Sequence, residues 1–411
     1  MQINYNNEIR ERFIPISYNE LLTGTLFYFN ITQKQPYQLL SDAIHKYYYC
    51  HFYETINSLQ EHYQPFNPDK ENLTSIELSE EEYLQRERDF LKEVIPLLND
   101  ANYEVLTQSL LIETMNKTSP YGVAVSVDFN DYEMVELHYR GESLQVEEKR
   151  DIRKLFLKKK VVTEPIYRRI FLILKPKQLS QRAKEIAEET GKELEKVTKK
   201  LRKSNTILLE DETENTIYIK LFKNMPQMDL QMLFPNTKVR MKLFDKVKLG
   251  VLGGGGTIGG LVTLVGKISL VALDPISALI AIATFLGVLW RQVKEVIFHR
   301  THYMAELAKN LYFHNLDNNE GALNYVVNMA QEEESKEVLL TYIFLSQQQT
   351  PISEDNLDEQ IERYVRKNYE VEMDFEVDDG VRKLRELGLL IEHDDRLSVV
   401  SVDEALGKLA I

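Results

Sequence analysis

Cysteine is all but missing from this chain: Cys50 stands alone in 411 residues. That excludes an intramolecular disulfide and any cysteine cluster for zinc, and it suits a reducing compartment. The opening residues, MQINYNNEIRERF, hold neither the apolar core of a signal peptide nor an Arg-rich, acid-poor presequence. Insertion into a membrane would therefore have to use an internal segment. Positive charge is in deficit, with 50 Lys and Arg against 64 Asp and Glu for a net −14, which argues against generic nucleic-acid binding. Tryptophan occurs once, at Trp290.

Long uncharged runs are also missing, except in one place. Residues 249–266 and 275–290 carry no charge, and their lengths approach the ~17–25 residues of a membrane-spanning helix. The pattern predicts a two-span transmembrane helical hairpin over 249–290, turning between Lys267 and Asp274, with Asp274 as N-cap and Pro275 at the first helical position. Lys242, Lys246 and Lys248 precede it and Arg291, Lys294 and Arg300 follow, so both ends belong on the cytoplasmic side. Trp290 stands where an interface anchor would. Gly255, Gly256, Gly259 and Gly260 form overlapping small-xxx-small pairs suited to close helix packing.

A rival reading uses the same glycines. Gly254, Gly256 and Gly259 satisfy G-x-G-x-x-G, with Asp274 near the distance of a dinucleotide fingerprint. The crossover helix would have no polar face, however, and no alternating strand–helix series surrounds it. No cofactor is expected.

The remaining chain reads as α+β and mostly helical. An N-terminal helical region covers 1–120, with apolar positions at helical spacing from Leu39 to Ile56 and a capping box of Ser79 and Glu82 before a helix interrupted at Pro96. A mixed α/β domain covers 121–248; Tyr167 to Leu174 is its clearest strand, and 178–203 is a charged amphipathic helical insert weakened at Gly191. Residues 291–350 read as helical, with Ala322 to Ala330 and Glu337 to Leu345 as core turns. Glu295, His299, His302 and Glu306 fall at spacings of four, three and four, a helix face able to hold a divalent metal, although such a face is more often simply solvated. Residues 352–411 form a winged-helix-like module with 17 acidic and 8 basic residues. That charge favours protein contact over DNA, for which Arg382, Lys383 and Arg385 would be the phosphate contacts.

RERFIPI (10–16), YQPFNPD (63–69), YRRIFLILKPK (167–177), IYIKLFKNMPQMDLQMLFP (217–235), the hairpin, SKEVLLTYIFL (335–345) and FEVDDGVRKLRELGLL (375–390) together resemble the family typified by transmembrane protein 143, whose shared region is a domain of unknown function, number 3754. The resemblance implies a membrane protein and supplies no catalytic residues. The expectation is thus an integral membrane protein, a non-enzymatic scaffold or regulator with its soluble parts on the cytoplasmic side. Its location would be a bacterial inner membrane, or an organelle inner membrane as the alternative. Its expected partners are membrane lipid and a protein partner or second copy, with nucleic acid disfavoured. Metal-dependent activity at the membrane face and membrane-tethered nucleic-acid binding are the alternatives.

Overall fold

A computed structural model describes residues 3–4, 10–69, 78–107, 109, 111, 123–150, 159–204, 207–210, 215–241, 287, 290, 294 and 311–409. Three helices come first: α1 (Tyr18–Tyr28), α2 (Lys34–Tyr63) and α3 (Glu80–Asp100). The expected capping box starts α3, the Ser79 hydroxyl accepting from Glu82 N while Glu82 accepts from Ser79 N at 2.7 Å. Pro96 does not interrupt this helix. A proline inside a helix costs about 3 kcal/mol, and burial of Val94, Leu97 and Leu98 around it, at about 1.5–3 kcal/mol each, outweighs that cost.

The sheet follows. Strands β1 (Ile3–Asn4) and β2 (Glu104–Val105) both pair with β4 (Tyr132–Arg150), and the order continues through β5 (Lys159–Pro176), β6 (Tyr218–Pro226) and β8 (Asn315–Asn318), all antiparallel. A separate ribbon pairs β3 (Val123–Ser126) with β7 (Lys238–Met241). The charged insert is two helices, α4 (Leu179–Thr190) and α5 (Leu194–Lys203), parted by Gly191 at φ +65°.

Each face of the sheet carries its own core, as alternation requires. Phe171 and Ile173 of β5, with Ile219 and Leu221 of β6, join the large core shared with the helices. Ile170, Leu172, Leu174 and Phe222 join a smaller core with Leu230, Leu233 and Phe234.

The centre of the large core is α6 (Asn319–Ser346), a single helix where two separate core turns are read from sequence. Its C-terminal flank, VLLTYIFL (338–345), is apolar on every side and buried throughout, so other elements surround it. The N-terminal flank, ALNYVVNMA (322–330), keeps Asn324 and Asn328 exposed on one face. The C-terminal elements, α7 (Glu354–Tyr369), α8 (Val377–Glu386), the hairpin β9 (Leu390–His393) and β10 (Arg396–Val399), and α9 (Val402–Lys408), follow in the order expected. They put Leu357, Ile361, Leu384, Leu389, Leu397 and Ala405 into the same core as α6.

The fold is α+β, but the transmembrane part of the expected class is overturned. Among the described residues no helix is long and apolar enough to cross a membrane. The long ones show why: α3 begins EEE, and α6 carries EEESKE at its middle. No described helix supports the integral-membrane reading or the inner-membrane location. The hairpin 249–290 itself lies outside the described residues except Gly287 and Trp290, which are helical and exposed.

Candidate functional site

Seven residues at the middle of α6, Gln331 to Glu337, read QEEESKE, and all but the half-exposed Glu332 are buried. Buried charge is tolerated only when paired and hydrogen-bonded. Spacing divides this run between two neighbours: Glu334, Glu337 and Thr341, three and four residues apart, face α8, while Glu333 and Lys336 face the sheet and the N-terminal segment 10–16.

On the first side Lys383 of α8, 2 % exposed, sits among three carboxylates: Glu334 Oε1 at 2.7 Å, Asp379 Oδ2 at 3.5 Å and Glu337 Oε2 in closest contact. Gly380 lets α8 approach this closely, since a Cβ there would lie 2.2 Å from Thr341 Oγ1. Burial pushes the Glu334 carboxyl up to about 7 and Glu337 to about 8, with Lys383 opposing both. Burial also works against the Lys383 charge, but Glu337 and Glu334 outweigh it and hold the ammonium protonated. Burial thus favours a proton on Glu334 and Glu337, which titrate as a pair, while Asp379, despite burial, is held below the ordinary range by Lys383 and Arg382. Among the described residues these three carboxylates are the group spaced to hold a metal ion, their oxygens within 4.8 Å of one another. The ammonium of Lys383 takes that role here.

On the second side Glu333 is fully engaged. It accepts from Arg140 Nη2 at 3.0 Å, Lys336 Nζ at 3.0 Å and Ile14 N at 2.9 Å. Lys336 also donates to Ile14 O at 3.0 Å and meets Glu332 at 3.0 Å. Phe13 lies under two guanidiniums, Arg140 at 4.2 Å and Arg168 at 5.5 Å from its centroid. Arg168 pairs with buried Glu11 at 2.7 Å. Burial raises the Glu11 carboxyl to about 7 despite Arg168 and Arg140. Gly141, at φ +70°, opens room for this stack, because a Cβ there would come within 2.8 Å of Phe13.

Here cations are in surplus. The register sets Arg140 directly against Arg169 on one face of the sheet, an arrangement of like charges that destabilises unless compensated. Arg140 has Glu333, whereas Arg169 has no carboxylate partner among the described residues; its Nη1 donates to Arg168 O at 2.8 Å and its Nη2 to the Tyr325 hydroxyl at 3.4 Å. Two positions along β4, His138 is 0 % exposed and burial lowers its imidazole to about 4. Among the described residues its Nε2 meets a carboxylate oxygen, on Glu136, at 3.9 Å. Both His138 ring nitrogens, Arg140 Nε and Arg169 Nε are buried without a hydrogen-bond partner among the described residues.

Of these groups Lys383 alone belongs to a site expected from sequence, as one of three cations to meet phosphates. Glu295, His299, His302 and Glu306, like Gly255, Gly256, Gly259 and Gly260, lie outside the described residues. Trp290 is 63 % exposed, with Lys294 Nζ 5.6 Å from its ring centroid. The cations expected to meet phosphates are committed elsewhere: Arg382 to Asp379 and Glu386, Arg385 to Glu392, and Lys383 to the buried trio. The missed signal is a charged run leading directly into a helical stretch, 338–345, that has no polar face. Such a helix is surrounded, so its charges must be too.

A family model described as "Protein of unknown function (DUF3754)" matches residues 167–321. The match opens beside Arg168 and Arg169 and ends in the first turn of α6, before Gln331. No solved structure matches the chain.

Proposed function

We propose that this chain binds an acidic small molecule, whose carboxylate or phosphate group is held by Arg169, with Arg140 and His138, on the helical face of the sheet. The observation that carries this reading is the cross-strand pair Arg140 and Arg169, two guanidiniums of which only Arg140 has a carboxylate partner, Glu333, among the described residues. An oxyanion would restore the balance, and a guanidinium fork suits its geometry. The unpartnered nitrogens of His138, Arg140 and Arg169 supply donors that nothing else among the described residues uses. We also propose kinship with the family typified by transmembrane protein 143. Segments 10–16, 335–345 and 375–390, outside the matched stretch, meet at this ionic core together with 167–177.

Calorimetric titration of the full chain at low ionic strength with inorganic phosphate, and separately with succinate, tests the binding. Saturable binding of either is expected, weakened about 10–150-fold in Arg169→Met, the equivalent of about 1.5–3 kcal/mol for one charge-assisted contact. Arg382→Gln should leave it unchanged. Absence of saturable binding to both anions, or equal affinity in Arg169→Met, would overturn the reading.

A further inference from the structure

A second uncompensated cation lies on the other face of the sheet. In β6, Ile219 and Leu221 turn to the helices, while Lys220, flanked by Tyr218 and Phe222, turns to the smaller core. Its cross-strand neighbours are Leu172 on β5 and Asn318 on β8. Among the described residues the hydrogen bond of Lys220 Nζ goes to Asn318 Oδ1 at 3.2 Å, and no carboxylate pairs with it.

Asn318 is the N-cap of α6, so this ammonium faces the positive end of a 28-residue helix. The acids around it are engaged elsewhere. Asp317 accepts from Asn318 N at 2.8 Å, Glu320 accepts from Asn67 Nδ2 at 2.8 Å, and Asp69 accepts from the Asn319 side chain. Burial lowers the Lys220 amine below the ordinary lysine range, with Asp69 opposing only in part. Apolar neighbours and a helix dipole of the same sign both disfavour the charged form, which is how proteins make an amine nucleophilic.

We propose that Lys220 is a nucleophilic amine that captures a ligand aldehyde or ketone as an imine. The uncharged Nζ attacks the carbonyl carbon and forms the C–N bond. The carbonyl oxygen then leaves as water, carrying off the two amine hydrogens, so no oxidant or reductant is needed. This site is independent of the anion site, and neither needs the other.

Reductive alkylation tests it. The full chain is treated at pH 7 with acetaldehyde and cyanoborohydride, and labelling of each lysine is followed by peptide mass spectrometry. Lys220 is expected to label severalfold faster than exposed Lys199 and Lys200 of α5, because a lowered amine keeps more of itself uncharged at pH 7. Its rate should level off at a lower pH than theirs, and Lys220→Arg should remove the fast site alone. Labelling of Lys220 at or below the rate of Lys199, or a rate that rises with pH in parallel with Lys199, would overturn the proposal.

Discussion

The two sides of α6 handle buried charge in opposite ways. Around Lys383 three carboxylates surround one ammonium, and the mismatch closes with a proton that Glu334 and Glu337 share. Around Arg140 and Arg169 the surplus is cationic, and a guanidinium cannot discard its proton at any ordinary pH. A surplus of acid is therefore self-correcting inside a protein, whereas a surplus of arginine calls for an anion from outside. That asymmetry makes the arginine side the better candidate for ligand binding.

The largest expected effect tests the asymmetry directly. Lys383→Met leaves the carboxylates facing one another and should cost about 3–5 kcal/mol at pH 8, as removal of one partner from a buried ion pair does. Arg169→Met removes a charge that has no carboxylate and should change stability by no more than about 1 kcal/mol in either direction. Urea unfolding of both variants beside the parent measures this. Equal losses would break the comparison, because Arg169 would then be as tightly compensated as Lys383.

Next comes pH. Burial raises the carboxyls of Glu11, Glu334 and Glu337 to about 7, 7 and 8, well above the ordinary glutamate range. A raised carboxyl pKa contributes stability that is complete below the unfolded value and is lost as pH rises through the folded one. Buried neutral His138, its imidazole lowered to about 4, works in the opposite sense up to about pH 6.5. Unfolding free energy should thus fall between about pH 6.5 and 8.5, by on the order of 1–3 kcal/mol, since coupling keeps the three shifts from adding in full. The Lys383 contribution, lost only above the ordinary lysine range, stays constant across this window. Glu337→Gln should flatten the decline; an unchanged slope would mean that the shared proton is not there.

Much of the architecture is legible in the sequence, and the reasons are local. Ser79 with Glu82 gives away the start of α3, Tyr167 to Leu174 shows its strand, and the punctuation from Ser353 to Asp403 orders the C-terminal elements correctly. The ionic core is not local: Ile14 and Lys336 meet across 322 residues, and Lys383 and Glu337 across 46. A charge run normally marks a solvated face, so nothing in the charged stretch after Ala330 signals burial until the apolar run that follows it, 338–345, is taken into account. Lys383 misleads in the same way. In VRKLRELG it looks like one of three surface cations, and only the position of α8 against α6 turns it inward.

A smaller effect belongs to the contact that sets that position. Gly380→Ala places a methyl 2.2 Å from Thr341 Oγ1 and should cost about 1–3 kcal/mol by overpacking. Pairing it with Thr341→Ala should recover part of the loss, because the atom in the way is the hydroxyl. Failure of the double variant to recover any would place the constraint in the backbone.

The smallest effect comes from the residue next to Lys383. Arg382 bonds Asp379 at 2.7 Å and Glu386 at 3.1 Å, two ion pairs against the three of Lys383, yet its side chain is 48 % exposed. Water competes for those carboxylates, so Arg382→Gln should cost no more than about 1 kcal/mol. Adding 0.5 M salt should erase most of that cost, since exposed pairs are screened, and should barely alter the cost of Lys383→Met. Adjacent cations on one helix, both paired with Asp379, would then differ severalfold in worth solely through burial. A large, salt-resistant loss from Arg382→Gln would instead show that Asp379 depends on Arg382 to hold its place beside Lys383, and the acid cluster would extend to the surface.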